Sequence, residues 1–127
     1  EFEQFTEMAL DAVLARVREL AGNATLAVIT GGEPLRQNII PLCEQLLAAG
    51  FTVQIETNGT LWRPLPAAVE VVCSPKNTNG GYHALRPDVL ARANALKFLV
   101  SASHPGYSSI AEVGQAQFGT PVFIQPM

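Results

Sequence analysis

The sequence is short of charge, of long apolar runs and of cysteine. Charged residues make up 15% of the 127, and the net charge is −3. The eight Lys and Arg residues are scattered, which argues against a non-specific nucleic-acid surface. Hydrophobic residues reach 48%, yet no run approaches the roughly 20 apolar residues of a membrane span. No secretory leader is visible, and the expected compartment is the cytoplasm. The two cysteines, Cys43 and Cys73, are far apart and flanked by apolar residues. They read as buried reduced thiols rather than as a disulfide or a metal site. His83 and His104 have no cysteine, carboxylate or second histidine at ligand spacing, and read as exposed loop residues. Ser101 and Ser103 lack a base partner, so no hydrolytic triad is expected. There is no internal repeat and no domain linker. One domain with a real core remains.

The stretch around which the chain is organised is Thr30-Gly31-Gly32-Glu33-Pro34. It follows the apolar run Leu26-Ala27-Val28-Ile29 and precedes an amphipathic segment. Paired glycines let the chain turn sharply and let a ligand approach the main chain. Glu33 is a fixed anion beside that opening, suited to a ligand ammonium group. Pro34 fixes the exit and removes one donor. An ordinary strand-to-helix turn would also satisfy these five residues alone.

Around that turn, helix and strand signals alternate. Residues from Phe5 to Leu20 read as a helix, capped by Thr6 and stapled by Phe5 and Leu10. Leu26 to Thr30 reads as a strand buried on both faces. A second helix is expected from Asn38 to Ala49, with Pro41 in its first turn. Phe51 to Ile55 alternates as a strand. The Asn58-Gly59 pair after it reads as a loop, since two prolines between Leu61 and Pro66 spoil a return strand. Trp62 is expected to cover apolar surface. Val69 to Cys73, Leu96 to Val100 and Val122 to Ile124 complete five strands. A glycine- and asparagine-rich loop is expected from Asn77 to Leu85, and a short helix from Pro87 to Asn94. Ser109 and Glu112 form a capping-box pattern for a last helix ending near Ala116. Lys97, in an otherwise apolar run, reads as a snorkelling side chain with a buried stem.

This alternation is the signature of parallel βα units. In such folds chemistry collects at the carboxyl ends of the strands. All five strands end in polar or glycine-bearing segments: Gly-Gly-Glu-Pro, Glu-Thr-Asn-Gly-Thr, Ser-Pro-Lys, Ser-Ala-Ser-His and Gln-Pro-Met. Converging donors and acceptors on one rim suit a multi-part polar small molecule. The expected architecture is α/β, an open sheet or an incomplete TIM-like barrel, since a full barrel needs about 250 residues. The chain starts on a helix and stops at a strand end. The expectation is therefore a single partial core domain, residues 1–127, with a strand and loop before it and some chain after it.

The glycine turn is similar to the S-adenosylmethionine-binding turn of radical SAM enzymes. Gln37, Ile55-Glu56-Thr57-Asn58-Gly59-Thr60, Ser74-Pro75-Lys76, Leu96-Lys97-Phe98-Leu99-Val100 and Phe123-Ile124-Gln125-Pro126-Met127 narrow the likeness. In that order they resemble the 7-carboxy-7-deazaguanine synthases of queuosine biosynthesis. The resemblance implies a radical SAM lyase. It would convert 6-carboxy-5,6,7,8-tetrahydropterin to 7-carboxy-7-deazaguanine with loss of ammonia. It implies S-adenosyl-L-methionine, a 4Fe-4S cluster and Mg2+ as cofactors, an electron donor such as a flavodoxin or ferredoxin, and a homodimer. Carried over by motif, Gly32 and Glu33 would hold the methionyl part of the cofactor. Ser74, Pro75, Lys76, Gln125, Pro126 and Met127 would contact it too, with Glu56 and Asn58 lining the same cavity. Thr30 would lie near the pterin. The chain departs from the resemblance at the cluster. That family binds its cluster through three closely spaced cysteines, and neither Cys43 nor Cys73 has a cysteine neighbour. No metal ligand is expected in these residues, which as written should be inactive. The rival readings are another radical SAM enzyme, such as a glycyl-radical activating enzyme, and a non-catalytic S-adenosylmethionine-binding domain.

Overall fold

The computed structural model describes residues 5–78 and 81–127. Five parallel strands form one sheet. They are β1 (Leu26–Ile29), β2 (Thr52–Thr57), β3 (Glu70–Cys73), β6 (Ala95–Val100) and β7 (Val122–Pro126). Helix α1 (Leu10–Ala21) precedes β1, and α2 (Ile40–Ala48), α3 (Pro87–Arg92) and α4 (Gln115–Phe118) lie in connections between strands. Sheet order follows chain order, so successive βα units step one way. The result is a partial barrel of parallel βα units, and every strand delivers its carboxyl end to the same rim.

Alternation along the strands sorts side chains onto two faces. Ala27, Ile29, Val53, Ile55 and Val71 pack with Leu14, Leu35, Cys43 and Leu46 under α1 and α2. Cys73, Leu96 and Phe98 pack with Val89, Leu90 and Val113 under α3 and α4. Trp62 touches both clusters, as its expected covering role requires. The opposite face carries Leu26, Val28, Gln54, Glu56, Val72, Lys97, Leu99, Phe123 and Gln125. Leu26 and Val28 remain about half exposed, so β1 is not buried on both faces. It is an edge strand covered by helices on one side only.

Other expectations shift for local reasons. The first helix begins at Leu10, capped by Ala9 without a side-chain bond, so Thr6 caps nothing. Phe5 is well exposed, and no staple to Leu10 forms. Extending the helix back to Phe5 would add Phe5 and Met8, which both stand exposed. Pro34–Arg36 forms a single 3₁₀ turn before α2, which delays that helix to Ile40. Part of the expected loop forms a small antiparallel hairpin, β4 (Asn77–Thr78) with β5 (Gly81–Tyr82). Residues 79 and 80 of that loop lie outside the described residues. The Ser109–Glu112 capping box does not open a helix. Glu112 instead accepts from the amides of Gly114 and Ala116, and α4 starts at Gln115. The Asn58-Gly59 turn is no hairpin, since β2 and β3 run parallel.

Gly59 has φ +77° and lies on the inner side of this turn. A Cβ there would stand 2.7 Å from Cys73 Sγ and 2.8 Å from Leu85 Cδ2. The Gly59→Ala variant is expected to lose about 1–3 kcal/mol of stability through overpacking and a disfavoured φ. Urea unfolding measures this, and an unchanged midpoint would contradict the packing around the turn.

Candidate functional site

The rim is tied together by one carboxylate. Glu33 follows the glycine turn after β1 and precedes the 3₁₀ turn. Its Oε1 accepts from the Thr57 hydroxyl at 2.7 Å and from the Leu35 amide at 3.1 Å. Its Oε2 accepts from the Asn58 amide at 2.8 Å. Three donors thus meet a half-buried group with about four lone-pair sites. The link crosses from the end of β1 to the end of β2. Thr57 is almost fully buried, and its hydroxyl oxygen in turn accepts from the Gly59 amide at 3.2 Å. The next strand joins through the main chain, where the Ser74 amide donates to the Thr57 carbonyl at 2.8 Å. At the far edge the Met127 amide donates to the Val100 carbonyl at 2.9 Å, holding the end of β7 to β6.

The structure brings Gly32, Glu33, Asn58 and Ser74 onto one connected stretch of rim. Thr30, Gly31 and Gly32 are exposed, and Gly31 has φ +134°. A Cβ at either glycine would meet nothing within 4 Å, so the turn is open to a ligand. Pro75 is buried and Lys76 exposed. Asn58 and Lys76 also border a cavity of about 330 Å³ with Thr60, Thr78, His83 and Arg86. Gln125, Pro126 and Met127 are exposed at the other end of the rim, not bonded to the Glu33 stretch. Glu56 faces the uncovered side of the sheet and meets Lys97 at 2.8 Å. Lys97 is therefore an ion-pair partner and not a snorkelling side chain.

Sequence reasoning missed Thr57, Lys97 and Arg63. Arg63 Nε donates to the Leu35 carbonyl at 2.7 Å and anchors the 3₁₀ turn from the loop after β2. Thr57 had a readable signal. It continues the buried alternation of Val53 and Ile55, and a hydroxyl on a buried face needs a partner.

No family model matches the chain. A curated 7-carboxy-7-deazaguanine synthase of Rickettsia prowazekii is 48% identical over 133 aligned residues, which cover all of this chain and 57% of that protein. Along its whole length the chain is similar to a 7-carboxy-7-deazaguanine synthase. The synthase of Rhodospirillum rubrum is 41% identical, over 80% of this chain and 47% of that protein. The crystal structure of QueE from Escherichia coli superposes with TM-score 0.73 and 29% identity, over 94% of this chain and 54% of that one. The chain thus spans about half the length of these relatives.

A 4Fe-4S cluster needs thiolates held at short spacing. Cys43 and Cys73 are both free and fully buried, and they lie in different core clusters. Among the described residues no group of three Cys, His, Asp or Glu side chains comes together. These residues do not fit a cluster. Burial, with a smaller push from the Glu33 charge, raises the Cys73 thiol to about 12, opposite to what a metal ligand needs.

Two outcomes follow for this rim. Glu33→Ala strands the buried Thr57 hydroxyl and two amides, and is expected to cost about 2–4 kcal/mol in denaturant unfolding. Glu33→Gln keeps one acceptor and is expected to cost less; a loss below about 0.5 kcal/mol in Glu33→Ala would contradict the clamp. The second outcome concerns pH. The unfolded Cys73 thiol releases its proton near about 8.5–9, whereas the folded one keeps it to about 12. Above about pH 9 the unfolded state binds fewer protons, so stability falls by up to about 1.4 kcal/mol per pH unit from this group. Urea midpoints of Cys73→Ala should therefore fall less steeply with rising pH than those of the unsubstituted protein. Parallel slopes would contradict the thiol's burial.

Proposed function

We propose that this chain supplies the cofactor-facing rim of a radical SAM lyase. The lyase converts 6-carboxy-5,6,7,8-tetrahydropterin to 7-carboxy-7-deazaguanine and ammonia. The observation that carries the reading is 48% identity to a named synthase across the whole chain. The open Gly31-Gly32 turn beside the Glu33 clamp supports it, because it offers main-chain polar groups at a rim that no side chain obstructs.

S-adenosylmethionine, when bound and reductively cleaved, supplies the radical that such a lyase uses. The part of this chain is to bind, orient and exclude water. Gly32 and the Glu33 turn would face the methionyl group. Glu33 itself spends three of its hydrogen bonds inside the protein, so its main role is to fix that turn. Ser74, Pro75 and Lys76 would contact the cofactor from the end of β3, and Gln125, Pro126 and Met127 from β7. Glu56 and Asn58 would line the space between them, and Thr30 would meet the pterin. Cluster thiolates come from outside these residues. Mg2+, a small electron-donor protein, a cytoplasmic setting and a homodimer belong to the same reading on the strength of the resemblance.

The direct test is anaerobic reconstitution of the protein carrying this chain, with iron and sulfide. The pterin, S-adenosylmethionine and a reductant are then added. Release of 7-carboxy-7-deazaguanine with equimolar ammonia is expected. Cofactor cleavage that leaves the pterin intact would overturn the assignment. A second test isolates the rim. Lys76 is exposed, so Lys76→Ala should leave the fold unchanged while weakening S-adenosylhomocysteine binding about 10- to 100-fold, the loss of one charge-assisted hydrogen bond. Calorimetric titration reads this, and an unchanged affinity would remove Lys76 from the site.

A further inference from the structure

The Glu56–Lys97 pair has no evident stabilising purpose. Glu56 lies on β2 and Lys97 on β6, and β3 runs between them. Val72 of β3 is the ladder partner of Glu56 on one side and of Ala95 on the other. The pair thus bridges β3 across an apolar side chain, on the face that no helix covers. Nζ and Oε2 are 2.8 Å apart, and the side chains are 22% and 30% exposed. A partly solvated pair of this kind contributes little stability, while placing two charges on an apolar strand surface has a desolvation cost.

What the pair does accomplish is orientation. Among the described residues Glu56 makes one side-chain hydrogen bond, through Oε2 to Lys97. Its Oε1 keeps both acceptor sites. Glu56 also directly precedes Thr57 and Asn58, the residues that Glu33 clamps, so its backbone is fixed as well. Phe123 is the ladder partner of Lys97 and stands exposed on the same face. Together they make a rigid acceptor beside an aromatic surface, near the carboxyl ends of the strands.

We propose that Lys97 is a positioning residue. It holds Glu56 so that Oε1 accepts an N–H from the bound small molecule. The proposal rests on the functional reading above. The N–H could belong to the cofactor's amine or to the substrate's heterocycle, and the experiment distinguishes the two.

S-adenosylhomocysteine and 6-carboxypterin are titrated separately into the protein carrying this chain. The variants are Lys97→Met, Lys97→Arg, Glu56→Gln and the Lys97→Met/Glu56→Gln pair, with thermal unfolding followed in parallel. Lys97→Met is expected to weaken one of the two ligands about tenfold. Lys97→Arg should restore most of that loss. The double variant should bind no worse than Glu56→Gln alone, because both changes disable one acceptor. The ligand that responds identifies the source of the N–H. A lower melting temperature in Lys97→Met with both affinities unchanged would make the pair a strut and overturn the proposal. So would additive losses in the double variant. If the unsubstituted protein binds neither ligand, the functional reading fails and takes this proposal with it.

Discussion

Everything at the rim depends on where the Glu33 carboxylate is held. A parallel sheet fixes strand register along its ladders, but beyond the last ladder bond each strand end is free to wander. Glu33 removes that freedom for two strands at once. It accepts from the side chain and main chain of the β2 end while capping the 3₁₀ turn that follows β1. The Thr57 carbonyl passes the constraint on to Ser74. A single anion therefore sets the relative position of three strand ends. The glycines beside it can stay open to a ligand because other residues do the fixing.

The division of labour between the two faces explains the remaining architecture. One face of the sheet buries Val, Ile, Leu and Phe against helices and supplies the stability. The other carries Gln54, Glu56, Lys97 and Gln125 among apolar neighbours and stays uncovered. Cys43 and Cys73 belong to the first face. They are packing residues in separate clusters, and the burial of Cys73 is why it keeps its proton.

Much of the fold was legible in the sequence because it is written in local patterns. The five strands, their parallel direction and the polar character of each strand end follow from alternation and from the spacing of Gly and Pro. What was not legible depends on distant partners. Thr6 and Ser109 had correct capping chemistry, but the helices begin at Leu10 and Gln115, and Phe5, Met8 and Ile110 stay exposed. Glu33 looked like a ligand for an ammonium group; its three internal donors lie about 2 and 24 to 25 residues away in sequence, and only the fold brings the far ones close. Lys97 looked like a lone cation because its partner is 41 residues distant. The likeness to 7-carboxy-7-deazaguanine synthases was readable from the succession of strand-end motifs.

The most direct measurement is the amide spectrum of the isotopically labelled protein during titration with S-adenosylhomocysteine. The account predicts shifts concentrated at Gly31, Gly32, Asn58, Ser74 and Lys76, with the helix-covered face unchanged. Shifts that spare the glycine turn, or that fall mainly under α1 and α2, would contradict a cofactor rim organised by Glu33.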